Sequence, residues 1–205
     1  MLNRIPPVNR ALILINLAVF LVQLFIAGPG FDLAFALWPP AAPSLGEGQF
    51  RIWQLLTYGF LHGSWLHIFF NMFALFMFGT AVEQALGSRR YLIYFLVSVV
   101  GAGLMHVIIT VSAHLEPVPI IGASGGVMAV LVAFGMFFPN QRLIIFPIPV
   151  PIKAWIAVIL YGLFDLVMGV SQTNSGIAHF AHLGGLATGF VMIRYWTAQA
   201  RRPRQ

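Results

Sequence analysis

Cysteine is absent from the 205-residue chain. That excludes disulfides and any thiolate nucleophile. Charge is scarce as well: 8% of the residues are Asp, Glu, Lys or Arg, against about 25% in an ordinary soluble domain. Tandem repeats and low-complexity tracts are missing too. The chain is instead apolar, with 60% hydrophobic residues and a mean hydropathy of +0.89. These proportions exclude an ordinary soluble domain and describe a polytopic membrane protein.

Six apolar segments are legible, at about residues 10–27, 65–86, 91–111, 124–138, 152–170 and 178–196. Basic Arg4 and Arg10 at the first segment resemble a signal peptide. Its apolar core, however, is about 18 residues, longer than the usual 7–15. It is therefore read as a span. The expected fold is all-α: six transmembrane helices in one compact bundle. A single domain covers residues 1–205, with its core at about 10–196 and a basic, disordered tail at 197–205.

The basic residues orient this bundle. Arg4 and Arg10 precede span one, Arg89 and Arg90 follow span two, and Arg142 and Lys153 follow span four. Arg194, Arg201, Arg202 and Arg204 close the chain. Ten of the eleven basic residues thus share one side, and Arg51 alone lies on the other. The positive-inside rule makes that side cytoplasmic, with both termini on it. The net charge of +6 is then explained by topology and anionic lipid. Without an aromatic-basic patch, nucleic acid is not an expected partner.

The same topology sets depth. Spans two, four and six begin on the outer side, so His67, Asn71, Ser124 and His182 all fall in the outer half of the bilayer. Span four is short. About 15 residues at 1.5 Å rise reach roughly 22 Å, against a hydrocarbon thickness of about 30 Å. Its start is expected to be submerged, facing protein or a water-filled cavity.

Two stretches there carry chemistry: Gly122-Ala123-Ser124-Gly125 and Ala181-His182-Leu183-Gly184-Gly185. A serine attacks a carbonyl only when a base takes its proton, and histidine is the usual base. At a helix start, free backbone N–H groups and the positive dipole end face Ser124 and suit a developing oxyanion. Gly185 and Gly189, four apart, offer a flat face for close helix contact. His67 and Asn71 share one face of span two, and both can donate hydrogen bonds. Alone, the glycine-flanked serine would more often be a helix-packing motif, and His179, one turn before His182, is an alternative base.

Taken in order, these motifs resemble the rhomboid family of intramembrane serine proteases. The match comprises Gly-x-Ser-Gly at 122–125, Ala-His-x-x-Gly at 181–185, and His62, His67 and Asn71 in their family spacing. It continues through Gly79-x-x-x-Glu83 and Leu86-Gly87, and covers about residues 50–195 of a six-span bacterial form. The resemblance implies Ser124 as nucleophile and His182 as general base, a dyad without a third acid. It implies an oxyanion hole of His67, Asn71 and the Ser124 backbone N–H. The implied activity is endopeptidase cleavage in or near transmembrane segments of other membrane proteins. The implied location is the bacterial inner membrane. No metal or organic cofactor is implied.

Two positions depart from the family pattern. Trp53 is followed by Gln54 where an arginine is common, and Met128 stands where an aromatic residue commonly stacks on the catalytic imidazole. Other polar residues have plainer readings. His62 is expected to support the outer loop, and His106 to be a buried, hydrogen-bonded histidine. Glu83 is expected to be paired or bonded to a loop, and Asp165 to be structural or near the substrate gate. Two other functional classes compete. An inactive rhomboid-like protein would bind membrane segments, but such proteins usually lack the serine or the histidine. A metal carrier or transporter would use the histidines, but no carboxylate is seen to join them, and no broken-helix repeat is present.

Overall fold

The computed structural model describes residues 5–28, 30–40, 49–145, 148–171 and 179–201. Helix α1 spans Pro7–Phe25, with proline in its first turn, where no N–H is needed. Its polar Asn9 and Asn16 point inward and are fully buried, while Leu14, Ile15, Leu17, Leu21 and Leu24 are exposed. That inside-out pattern suits an apolar solvent. Short helices α2 (Gly30–Phe35) and α3 (Gln54–Thr57), with a 3-10 turn at Tyr58–Phe60, shape the outer loop.

The second apolar segment is helical from Trp65 to Leu86 but not uniform. Helix α4 (Trp65–Ala74) passes through a π turn at Leu75–Gly79 into α5 (Thr80–Leu86). Ser64 caps α4 by accepting the His67 N–H at 3.1 Å. The Leu75 carbonyl in the π turn accepts the Asn9 side-chain amide at 2.8 Å. The Glu83 carboxylate, 1% exposed, accepts the backbone N–H groups of Val8 and Asn9 at 3.1 and 2.6 Å and the Ser88 hydroxyl at 2.6 Å. A negative charge at the start of α1 also matches the helix dipole. Glu83 is thus bonded to a helix start rather than to a loop. Gly87, at φ +76°, takes the chain from α5 into α6 (Ser88–Ser112) in the left-handed region.

Helix α7 (Ser124–Phe137) is central: ten of its 14 residues are buried. Helices α6 and α9 (His179–Ala200) pack on it and on each other through small residues. A Cβ on Gly185 would overlap the carbonyl oxygen of Gly125, and one on Gly189 would lie 2.8 Å from the Ala129 Cβ. Helix α8 (Ala154–Val170) is peripheral, burying Ala154, Ala157, Asp165 and Gly169 and exposing much of its apolar surface.

Helices at Pro7–Phe25, Trp65–Leu86 and Ser88–Ser112 are long and apolar enough to cross a membrane, and Ser124–Phe137 and Ala154–Val170 are shorter apolar helices. The all-helical expectation needs one addition. Strands β1 (Arg142–Ile145) and β2 (Ile148–Lys153) form an antiparallel hairpin between α7 and α8, pairing Arg142 with Lys153. Pro149 and Pro151 deny a helix its N–H groups, and the β-branched Val150 and Ile152 beside them favour a strand. Helix α8 therefore begins at Ala154, after the hairpin. Helix α9 runs on to Ala200, through the first residues of the expected tail.

Candidate active site

The chain reaches Ser124 under tight local control. An antiparallel bridge joins Leu37 and Ile120, with N–H to carbonyl bonds of 3.0 Å in both directions. The Gly122 N–H then donates to the Tyr58 carbonyl at 2.9 Å. Gly122 has φ +127°, and a Cβ there would lie 2.7 Å from the His67 ring and 3.7 Å from Ser124 Oγ. A glycine is needed at this turn both for its backbone and for the room it leaves between His67 and Ser124.

Ser124 is the first residue of α7 and is half-buried. His182 lies one turn into α9, whose close approach at Gly185 carries the imidazole over the α7 start. His182 Nε2 stands 2.8 Å from Ser124 Oγ, across 58 residues of sequence. The two sites read from the sequence are in hydrogen-bond contact. His67 and Asn71 sit on α4 beside them. His67 is half-buried and Asn71 is buried, with its amide donating to the His67 carbonyl at 3.1 Å.

Asp165 falls at this site, not apart from it. Its Oδ1 lies 2.7 Å from His179 Nδ1 and 3.1 Å from His182 Nδ1. Two expectations change accordingly. The histidines are joined by a carboxylate, and the histidine that contacts Ser124 has an acid behind it. His179 does not contact the serine in place of His182; it shares the aspartate. The ligand atoms of Asp165, His179 and His182 lie within 4.8 Å of one another and are the described residues that could together hold a metal ion. A usable signal existed in the sequence, since an ionisable residue inside an apolar span is a functional candidate by default.

The remaining residues support the site. The His62 main chain is clamped by the Gln23 side chain, which accepts its N–H at 3.0 Å. Its ring is buried and packs edge-on against Phe20 and His67. Burial pulls the His62 pKa down to about 4, helped by the neighbouring His67 and opposed by the Phe60 backbone. His106 is half-buried, with Nε2 3.4 Å from the Val118 carbonyl. Gln54 is 1% exposed and knots the outer loop. Its Oε1 accepts the N–H groups of Arg51 and Trp38, and its amide donates to the carbonyls of Gln49 and Ala34. A neutral amide both gives and takes here, which an arginine cannot do. With Met at 128, the ring beside His182 is His179, at 6.3 Å and nearly perpendicular.

Fold and site together define a helical, multi-pass membrane protein with a serine–histidine pair at a buried helix start. The family model described as the Rhomboid domain matches residues 49–199, and the chain belongs to the rhomboid family. Rhomboid protein 1, mitochondrial, of Saccharomyces cerevisiae is 30% identical over 74% of the chain and 44% of its own length. Rhomboid protease GlpG of Klebsiella pneumoniae is 29% identical over 96% of the chain and 65% of its own length. Its counterpart in Photorhabdus laumondii is 27% identical over 91% and 60%. The chain therefore spans less than two thirds of the length of these relatives.

Proposed function

We propose that the chain is an intramembrane serine endopeptidase. The observation that carries this reading is the 2.8 Å contact between Ser124 Oγ and His182 Nε2. Oγ attacks the scissile carbonyl carbon while its proton passes to Nε2. The carbonyl oxygen becomes an oxyanion, received by the Ser124 N–H and the side chains of His67 and Asn71. Collapse of this intermediate breaks the C–N bond, and the leaving amine takes the proton from Nε2. Water then attacks the acyl-serine, giving one proton to Nε2, which returns it to Oγ as the acid product leaves. No metal or organic cofactor enters these steps.

The substrate is a transmembrane segment of another membrane protein. A helix hides its carbonyls, so the segment must unwind locally, and helix-breaking residues near the cut lower that cost. Six spans with a short, submerged fourth, both termini cytoplasmic, fit the charge distribution and a bacterial inner membrane. The site then opens to the outer face.

A fluorophosphonate probe tests the reaction. It should label the parent protein and not Ser124→Ala, and only the parent should cut a transmembrane reporter. Absence of labelling and cleavage in the parent would leave an inactive family member that binds membrane segments. Topology is tested separately with a reporter active only in the cytoplasm. It should be active after Gln205 and silent near Glu116.

A further inference from the structure

One buried acid at the site has no part in that chemistry. Asp165 is the only charged residue of α8, and its side chain is 4% exposed. An ionised carboxylate withdrawn from water is costly unless its lone pairs are met. Here one oxygen, Oδ1, meets two imidazole nitrogens, at 2.7 Å from His179 and 3.1 Å from His182.

The donor inventory then fixes the protons. An ionised carboxylate only accepts, so each Nδ1 must carry hydrogen. A neutral imidazole has one N–H. With Nδ1 protonated, His182 Nε2 holds a bare lone pair, and this is the nitrogen 2.8 Å from Ser124 Oγ. The opposite tautomer would turn an N–H toward the serine and could not accept its proton. His179 stands on the far side of the carboxylate, braced edge-on by Phe164 at 6.1 Å and by His182 at 6.3 Å. It holds Oδ1 in place by the shorter of the two bonds.

We propose that Asp165, held by His179, is a positioning residue that sets the tautomer and orientation of His182, so that this chain works through a serine–histidine–aspartate arrangement drawn from α7, α9 and α8. The inference rests on the protease reading above. It also gives α8 a chemical role: this peripheral helix buries four residues, and one of them completes the base.

The test uses the full chain in liposomes. In Asp165→Asn, kcat should fall about 10- to 100-fold, the worth of a hydrogen bond to a charged group, with KM unchanged. The rate constant for fluorophosphonate labelling should fall by the same factor, while the final labelled fraction stays that of the parent. Asp165→Glu should recover part of the rate. His179→Ala, which leaves the His182–Asp165 bond, should lose less than Asp165→Asn does. Parent-like kcat in Asp165→Asn overturns the proposal. So does a lower labelled fraction with an unchanged rate per labelled site, which would make Asp165 a mere fastener of α8. A second measurement needs no variant at position 165. In ¹⁵N-histidine-labelled parent protein, His182 should show a protonated Nδ1 and a bare Nε2 at neutral pH; a protonated Nε2 overturns the proposal. Ser124→Ala is the control. If it still cuts, the protease reading itself fails; if it is dead while Asp165→Asn is normal, only the present inference fails.

Discussion

Two buried polar clusters lie toward opposite ends of the helical stretch from Trp65 to Leu86, and they behave differently. Around Glu83, the acceptors meet two backbone N–H groups and a hydroxyl. Tyr91 and Asn9 complete the set, the phenol donating to Asn9 Oδ1 at 2.8 Å. Backbone protons do not migrate, so this cluster can only hold α1 against α5 and α6. Around His67 and Asn71, the central bond joins a hydroxyl to an imidazole, and its proton has two basic atoms to choose from. Both clusters satisfy the demand that buried polar groups be paired. Only the second can exchange its pairing, and that separates a fastening from a candidate reaction centre.

The comparison breaks most sharply at Ser124. Ser124→Ala should abolish cleavage of a transmembrane reporter while leaving thermal stability near that of the parent. His182→Ala should be equally inactive and the double variant no worse, because the pair acts as a unit. Residual cleavage by Ser124→Ala near the parent rate would place the chemistry elsewhere. Next in size are the proposed oxyanion donors. His67→Ala and Asn71→Ala should each lower kcat by about 10²–10³-fold, and unchanged kcat in both would remove α4 from the reaction.

The Glu83 cluster should show the converse. Glu83→Leu strands two backbone N–H groups and should cost about 3 kcal/mol or more of stability, read by chemical unfolding in detergent. The labelling rate per folded molecule should stay at the parent value; a slowed rate would mean that the two clusters communicate. The smallest effect concerns acid. Folded His62 has its pKa lowered to about 4, while the unfolded residue titrates near 6.5. As pH falls below about 6.5, the unfolded chain binds a proton that the native protein refuses. Stability should therefore drop by about 3 kcal/mol between these values and level off below the lower one. His62→Leu should flatten that part of the stability curve, and an unchanged slope would assign it to other groups.

Much of this was legible in the sequence, and what was not has a common cause. Apolar length marked the helices, and charge placement together with motif spacing brought Ser124, His182, His67 and Asn71 to one depth. The rotation of each helix about its own axis was not readable. Helix α8 is apolar almost all round, so no stripe says which face is inward, and the approach of Asp165 to the histidines stayed hidden. The π turn at Leu75–Gly79 leaves no mark in hydropathy, and the Asn9 amide that bonds its Leu75 carbonyl lies 66 residues away in the chain. The hairpin was readable in principle from Pro149 and Pro151, but apolar composition there looks like the start of the next span.

The contact of Gly185 with Gly125 has the character of a machining tolerance. Ser124 and His182 ride on separate helices, and no covalent link shorter than 58 residues sets their spacing. What sets it is the absence of one methyl group at position 185, where even a Cβ would overlap the Gly125 carbonyl. Helix α9 would have to back away to admit it, and a misplacement of about 1 Å can cost on the order of 10²-fold in rate. An alanine there touches neither Ser124 Oγ nor the His182 ring, yet it would act as a shim between the two halves of the proposed catalytic pair.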